Sequence, residues 1–388
     1  MSTRLVDRSF LLFATMYLVA ILSVGQISRG DERPSTPKEP VGERNLRGFA
    51  ARIPWTASRV IGSPEPPSPY RLKRIFPNLK FDAPVHMLPE PGTNRLWVSE
   101  HKGKIRAFEN RNDADVVTEI VDLPFADVVV NPYGMVFHPN YAQNGRVFLF
   151  LEMKGKKKDE GDAESATTPG AGRKPYELFP EGMREICRVS RFDTTSEHPR
   201  RIIRESEQPI VEWSSSGHTG GGMAFGPDGM LYITTGDGSS DSDTNVTGQD
   251  ISDLQAGVLR IDVDHPDPGK PYGIPKDNPF VDLPGARHEL YAFGLRAPWR
   301  MTYDPPTRQF WIGEVGQDLW EQIHLLKRGA NYGWSVREGN HPFHAERRAG
   351  PIPITGPIVE HHHTEARSIT GGYVYRGSKR PELFGFYI

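Results

Sequence analysis

Cysteine is almost absent from this chain of 388 residues, in which Cys187 is the only one. That excludes an intrachain disulfide, a zinc site of the cysteine type and a CxxCH haem attachment. A surplus of one charge is missing too. Lys and Arg number 47 against 49 Asp and Glu, a formal net charge of −2, so nothing points to nucleic acid or an anionic membrane surface as a partner. The chain has no G-x-S-x-G elbow, no P-loop and no G-x-G-x-x-G between strand and helix, which argues against serine hydrolase, nucleotide hydrolase and Rossmann dehydrogenase chemistry. Helical patterning is weak, and ISDLQAGVLRID supplies at most one short turn. The one notable apolar run, Phe10 to Val24, is short for a membrane span. Arg4 and Arg8 precede it and Ser23-Val24-Gly25 ends it, the pattern of a secretory signal over residues 1–25. The alternative is an uncleaved N-terminal anchor. Either way the body is expected to leave the cytoplasm, to the periplasm or the cell exterior, with no stable membrane insertion once a signal is cleaved.

Glycine (39) and proline (35) are abundant, together approaching a fifth of the chain. Without collagen periodicity they predict many turns between short strands. Residues 26–70 (DERPSTPKEP, SPEPPSPY) read as a Pro-rich linker or wrapping arm, with Trp55 and Ile61 able to pin it. From Phe81 a unit recurs in which a Pro-containing turn feeds a short aromatic strand: LPEPGTNRLWVSE, FHPNYAQNGRVFLFLE, FGPDGMLYITTGD and YDPPTRQFWIGEV. Repeated hairpins with few helices predict an all-β fold, a β-propeller over residues 71–388, with a sandwich as the alternative. The charged stretch 154–174 reads as a loop between strands. The chain stops on FGFYI after the strand-like SITGGYVYRG, so the propeller is expected to be incomplete at its C-terminus by about one blade.

Polar residues on glycine-rich turns concentrate between His218 and Gly339. His218 stands in SSSGHTGGGMAF, where neighbouring glycines let backbone approach a ligand and an imidazole is a natural general base. A turn histidine bonded to a carbonyl explains the motif equally well. Arg296 in FGLRAPWR can clamp a carboxylate or stabilise an oxyanion, or it can tie loop carbonyls together. The loop GEVGQDLWEQ places Glu314, Asp318 and Glu321 around Gly316, carboxylates and freed carbonyls of the kind calcium takes. The acidic loop DGSSDSDTN fails the EF-hand pattern at Val246 and Ser252 and remains an irregular calcium candidate. His361, His362 and His363 read as a solvated loop from which one ring could enter a cleft.

Together the segments YGMVFHPNYAQNGRVFLF, HTGGGMAFGPDGMLYITTGDG, IPKDNPF, FGLRAPWR, GEVGQD, GANYGW and SITGGYVYRG resemble the glucose/sorbosone dehydrogenase family. That family includes soluble sugar dehydrogenases that use pyrroloquinoline quinone (PQQ). The resemblance runs from about Phe81 to the C-terminus. It implies a six-bladed propeller with the quinone above the central channel and His218 as the base that takes a sugar hydroxyl proton. It further implies Arg296 beside quinone and substrate, and calcium on the carbonyls of Gly316 and Gln317. Arg376 falls where family members carry a cofactor-contacting lysine, and Glu321 and Tyr332 fall near a structural calcium. Three positions depart from the pattern: Val129 replaces glutamine, Gly217 aspartate and Ala297 asparagine. Each lost charge-assisted hydrogen bond is worth about 1.5–3 kcal/mol. The resemblance implies an exported PQQ- and calcium-dependent oxidoreductase acting on a sugar or polyol, with a c-type cytochrome as possible electron acceptor. The alternatives are a non-catalytic binding propeller of the same family and a calcium-dependent sugar lactonase.

Overall fold

The computed structural model describes residues 70–123, 128–155 and 185–388. The expected signal, nearly all of the Pro-rich arm and most of the 154–174 loop lie outside the described residues. The unit Arg74–Ile388 is built almost wholly of antiparallel hairpins. A first sheet holds β1 (Pro84–Pro89), β2 (Arg95–Glu100), β3 (Lys104–Glu109) and β4 (Thr118–Asp122) in sequence order. A second holds β5 (Val128–Phe137), β6 (Arg146–Gly155), β7 (Glu185–Asp193) and β8 (Gln208–Ser214). The third runs from β9 (Gly220–Phe225) through β10 (Leu231–Thr235) and β11 (Gly257–Ile261) to β12 (Leu290–Phe293). The fourth joins β13 (Pro298–Asp304), β14 (Gln309–Glu314) and β15 (Trp320–Leu325) to β18 (Val359–His362). Before β18 the chain makes a small hairpin of β16 (Arg337–Glu338) and β17 (His341–Pro342). The predicted turn-and-strand units are the hairpins: in FGPDGM, Gly229 takes a φ of 79° at the turn from β9 to β10, a conformation open to glycine at little cost.

These meanders are propeller blades, and alternation along β6 shows how they stack. Val147, Leu149, Leu151 and Met153 face one way, into a core shared with Trp97 and Ile105 of the first blade. Phe148 and Phe150 face the other way, against Met223, Ile233 and Leu259 of the third. A strand whose period-two faces are both buried cannot alternate apolar with polar, so the run VFLFL, Val147 to Leu151, is apolar throughout. A further core, with Tyr232, Val258, Met301 and Ile312, joins the third blade to the fourth. Cys187 lies buried in β7 as a small apolar residue.

Next to the axis the blades meet backbone to backbone. A Cβ on Gly134 of β5 would fall 2.2 Å from the carbonyl oxygen of Gly221, and one on Gly222 of β9 2.6 Å from the Met301 nitrogen of β13. The first strands therefore run side by side in one direction, and the turns that precede them gather on one face. The C-terminal segment opens a fifth sheet: Tyr373 and Ile388 exchange backbone hydrogen bonds of 2.8 and 2.9 Å, and Thr302 Oγ1 donates to the Gly372 carbonyl at 2.9 Å. The FGFYI end is thus paired, although Tyr373, Phe384, Phe386 and Ile388 remain exposed. The described residues supply four complete blades and this hairpin, so a count of six is not reached within them. No helix among them is long and apolar enough to cross a membrane.

Candidate active site

Three connections converge on the face where the first strands begin: residues 217–219 before β9, 294–297 before β13, and the turn 315–319 between β14 and β15. The long link 236–256 from β10 to β11 rises on the same face. His218 is fixed by it from two directions. Its backbone nitrogen donates to the Ser239 carbonyl at 2.7 Å, and its Nδ1 lies 2.9 Å from Asp237 Oδ1. Asp237 has no solvent exposure. It accepts from the Ser239 nitrogen (2.9 Å), Ser239 Oγ (3.1 Å) and, on Oδ2, Trp334 Nε1 (2.8 Å). A carboxylate so surrounded can only accept, so Nδ1–H of His218 donates to it, and in the neutral imidazole Nε2 is the nitrogen with the free lone pair. The imidazole is 18% exposed, which leaves that nitrogen reachable from the face.

Gly217 is demanded by this packing. A Cβ there would stand 1.9 Å from the Ser239 oxygen. The aspartate of the family pattern therefore does not fit this backbone.

Arg296 is 7% exposed and already employed. Its Nε donates to Gln317 Oε1 at 2.8 Å and its Nη1 to the Val315 carbonyl at 2.9 Å, and the guanidinium lies 5.8 Å from the centre of the Trp334 ring. Burial pulls its pKa below the usual arginine value, against the pull of Asp237, Glu314, Glu321 and Glu338. Its backbone nitrogen donates to Glu314 Oε1, and Glu314 Oε2 is 2.7 Å from His324 Nε2 in full burial. Arg296 thus ties the turn 315–317 to the strand while standing one ring away from His218's support.

The glycine turn is held by two acids. Glu321 accepts from the Gly316 nitrogen (3.2 Å), His363 Nε2 (2.8 Å) and the Ile369 nitrogen (2.6 Å). Glu338 accepts from the nitrogens of Gln317 (2.6 Å) and Asp318 (2.7 Å), and from that of Leu319 at 3.3 and 3.2 Å from its two oxygens. Among the described residues no acceptor role is taken by the carbonyls of Gly316 or Gln317. This donor set fits a hard cation held by backbone oxygen, as the resemblance implies for calcium. Glu321 and Tyr332 are placed otherwise than expected. Both oxygens of Glu321 are spent on the contacts above. The Tyr332 hydroxyl donates to the Leu325 carbonyl (2.8 Å) and accepts from the Lys327 nitrogen (3.0 Å), at the far end of β15. No group of three or more His, Cys, Asp or Glu side chains among the described residues could hold a metal.

Arg376 is not brought to the site. It forms a two-pronged ion pair with Asp304, Nε to Oδ1 at 3.0 Å and Nη2 to Oδ2, and Asp304 is the last residue of β13. Arg296 precedes the first residue of that strand, so roughly 20 Å of strand separates the two. Val129 lies near the start of β5, and Ala297 is buried with its carbonyl accepting from the Val315 nitrogen at 3.2 Å. Asp243 of the acidic loop is saturated by the Thr247 nitrogen (2.8 Å), the Gly248 nitrogen (3.2 Å), Ser335 Oγ and Arg347 Nη1 (3.2 Å). Of the histidine run, His363 reaches Glu321, while His361, its side chain 11% exposed, pairs with Glu365 at 3.2 Å. Asp237, Trp334 and Glu338 were not singled out from sequence. Asp237 lay in a loop read for calcium and Trp334 in the motif GANYGW, but Glu338 carries no local signal.

Comparison with known proteins agrees with the geometry. The family model described as Glucose / Sorbosone dehydrogenase matches residues 81–387. The HIPL2 protein of Arabidopsis thaliana is 31% identical over 348 residues, 78% of this chain and 50% of that protein. Aldose sugar dehydrogenase YliI of Escherichia coli is 28% identical over 257 residues, 66% of this chain and 60% of that protein. The chain thus spans about half the length of the plant relative. Among solved structures, the PQQ-bound form of aldose sugar dehydrogenase from Streptomyces coelicolor aligns with a TM-score of 0.52 at 22% identity, over 76% of this chain and 72% of that one. At that identity the likeness is one of fold.

Proposed function

The chain belongs to the glucose/sorbosone dehydrogenase family, and from that premise we propose that it is an oxidoreductase acting on a hydroxyl carbon of a sugar or related polyol. The observation that carries this reading is the His218–Asp237 pair: a buried carboxylate with its other bonds satisfied holds Nδ1–H and presents Nε2 to the face. Nε2 takes the hydroxyl proton as the C–H bond gives up its hydride, and Asp237 stabilises the imidazolium that results. When bound, PQQ supplies the two-electron acceptor for that hydride. A calcium ion on the carbonyls of Gly316 and Gln317, with the guanidinium of Arg296 behind them, would hold such an anionic group. Trp334 keeps the two halves in register, bonded to Asp237 and lying over Arg296. The reading includes export directed by residues 1–25, a Pro-rich arm over 26–70, a catalytic propeller over 71–388, and a c-type cytochrome as the final electron acceptor.

A second reading, a binding propeller without redox activity, draws on a specific observation. Gly217 has no room for a side chain and Arg376 is paired elsewhere, so two of the family's polar contacts are missing at this face.

One experiment separates the two. The protein is incubated with PQQ and calcium and given aldoses with an artificial electron acceptor. The enzyme reading expects acceptor reduction, and a loss of about 100-fold or more in His218→Ala. No reduction and no PQQ binding on titration would overturn the enzyme reading.

A further inference from the structure

Glu338 is 3% exposed, lies in a two-residue strand remote in sequence from the 315–319 turn, and yet accepts from three consecutive backbone nitrogens of that turn. The peptide bonds 316–317, 317–318 and 318–319 are all trans. In a trans peptide the carbonyl points opposite to the N–H. Gathering three N–H groups on one carboxylate therefore turns the carbonyl oxygens of Gly316, Gln317 and Asp318 away from it together. Among the described residues none of these three oxygens accepts a hydrogen bond, whereas the preceding one, of Val315, is taken by Arg296. Glu321 adds a fourth grip on the Gly316 nitrogen.

We propose that Glu338 is the positioning residue of a cation site made of backbone oxygen: it holds the turn in its metal-ready form before any metal arrives. The inference rests on the calcium reading above and adds its cause. The turn's own side chains are no part of it. Gln317 reaches Arg296 and Asp241 with its amide, at 2.8 and 2.6 Å, and contributes only its main chain to the ring of oxygens. Glu338 touches no metal; it sets the direction of groups that do, as outer partners of metal ligands generally do.

The test is calcium titration of the purified protein by calorimetry, with terbium luminescence sensitised by Trp320 as a second probe, since the Trp320 carbonyl lies against Gly316. Wild type is expected to bind one calcium at this turn. Glu338→Gln, whose amide nitrogen repels the N–H groups it replaces an acceptor for, is expected to bind about 10–100-fold more weakly. Glu338→Asp, which keeps the charge but loses reach, is expected to fall between. If wild type binds no calcium, the calcium reading fails. If wild type binds and Glu338→Gln binds equally well, that reading stands and the role given to Glu338 is overturned. Should the Glu338 variants not fold, hydrogen exchange of the wild-type amides at 317–319 decides. Slow exchange without calcium and no change on adding it supports a preformed turn. Fast exchange that calcium slows shows that the metal orders the turn, and overturns the proposal.

Discussion

The two ends of β13 carry arginines expected at one cofactor, and they are built differently. Above its first residue, Arg296 is buried, divided between a side-chain amide and a carbonyl, and lies over Trp334, whose indole donates to Asp237. Beyond the strand's last residue, Arg376 makes one two-pronged pair with Asp304 and rests on Phe384 at 5.2 Å. The polar groups at the upper end have several partners each, and the Trp334–Asp237 bond ties the link after β10 to the chain after β15. The lower end is one ion pair, with Thr307 Oγ1 also donating to Asp304 at 2.6 Å, and it pins the C-terminal hairpin to the fourth blade. In the proposed reading one strand serves chemistry at one end and attachment at the other.

The comparison breaks first, and most heavily, at the upper end. Asp237→Asn offers Trp334 and Ser239 the same shape but can present an amide N–H to His218, which favours the wrong tautomer. A fall in kcat of about 100-fold or more is expected with little change in KM, and a pH-rate profile is the check. An unchanged kcat would detach Asp237 from the chemistry. Next in size is Gly217→Asp, which restores the family residue. With a Cβ 1.9 Å from the Ser239 oxygen it is expected to cost about 2–4 kcal/mol by thermal unfolding. A variant as stable as wild type, and binding PQQ more tightly, would show that the departure is a matter of ligand contact and not of packing. The lower end gives the smallest effect. Arg376→Gln is expected to leave the thermal midpoint nearly unmoved, as for an exposed pair, and to leave activity and PQQ affinity unchanged. A selective loss of PQQ affinity would return Arg376 to the site.

What the sequence could reveal follows the same division. The blades were legible because each is a local hairpin: the turn in FGPDGM and the aromatic strand after it sit within one stretch of chain, and the fold obeys them. The pairing of His218 with Asp237 was not, since it joins two strands' approaches across a sheet. Glu338 was less legible still, because its partners are main-chain nitrogens with no side-chain identity to recognise. Arg376 misled for a geometric reason. Motif order along a chain tells which blade a residue belongs to, but whether it lies at the top or the bottom of that blade depends on a few residues of strand register.

The backbone contacts near the axis have a wider consequence. Because Gly134 and Gly222 leave no gap between the innermost strands, the spacing of the second, third and fourth blades is fixed by main chain, as a collar fixes a shaft. Substitutions there can wedge blades apart but cannot tune them. Diversification is thereby channelled outward, into links such as 236–256 and the 326–358 excursion, which can lengthen or change partners while the spacing beneath them stays the same. A protein built on such a collar can exchange what it recognises without renegotiating how it folds.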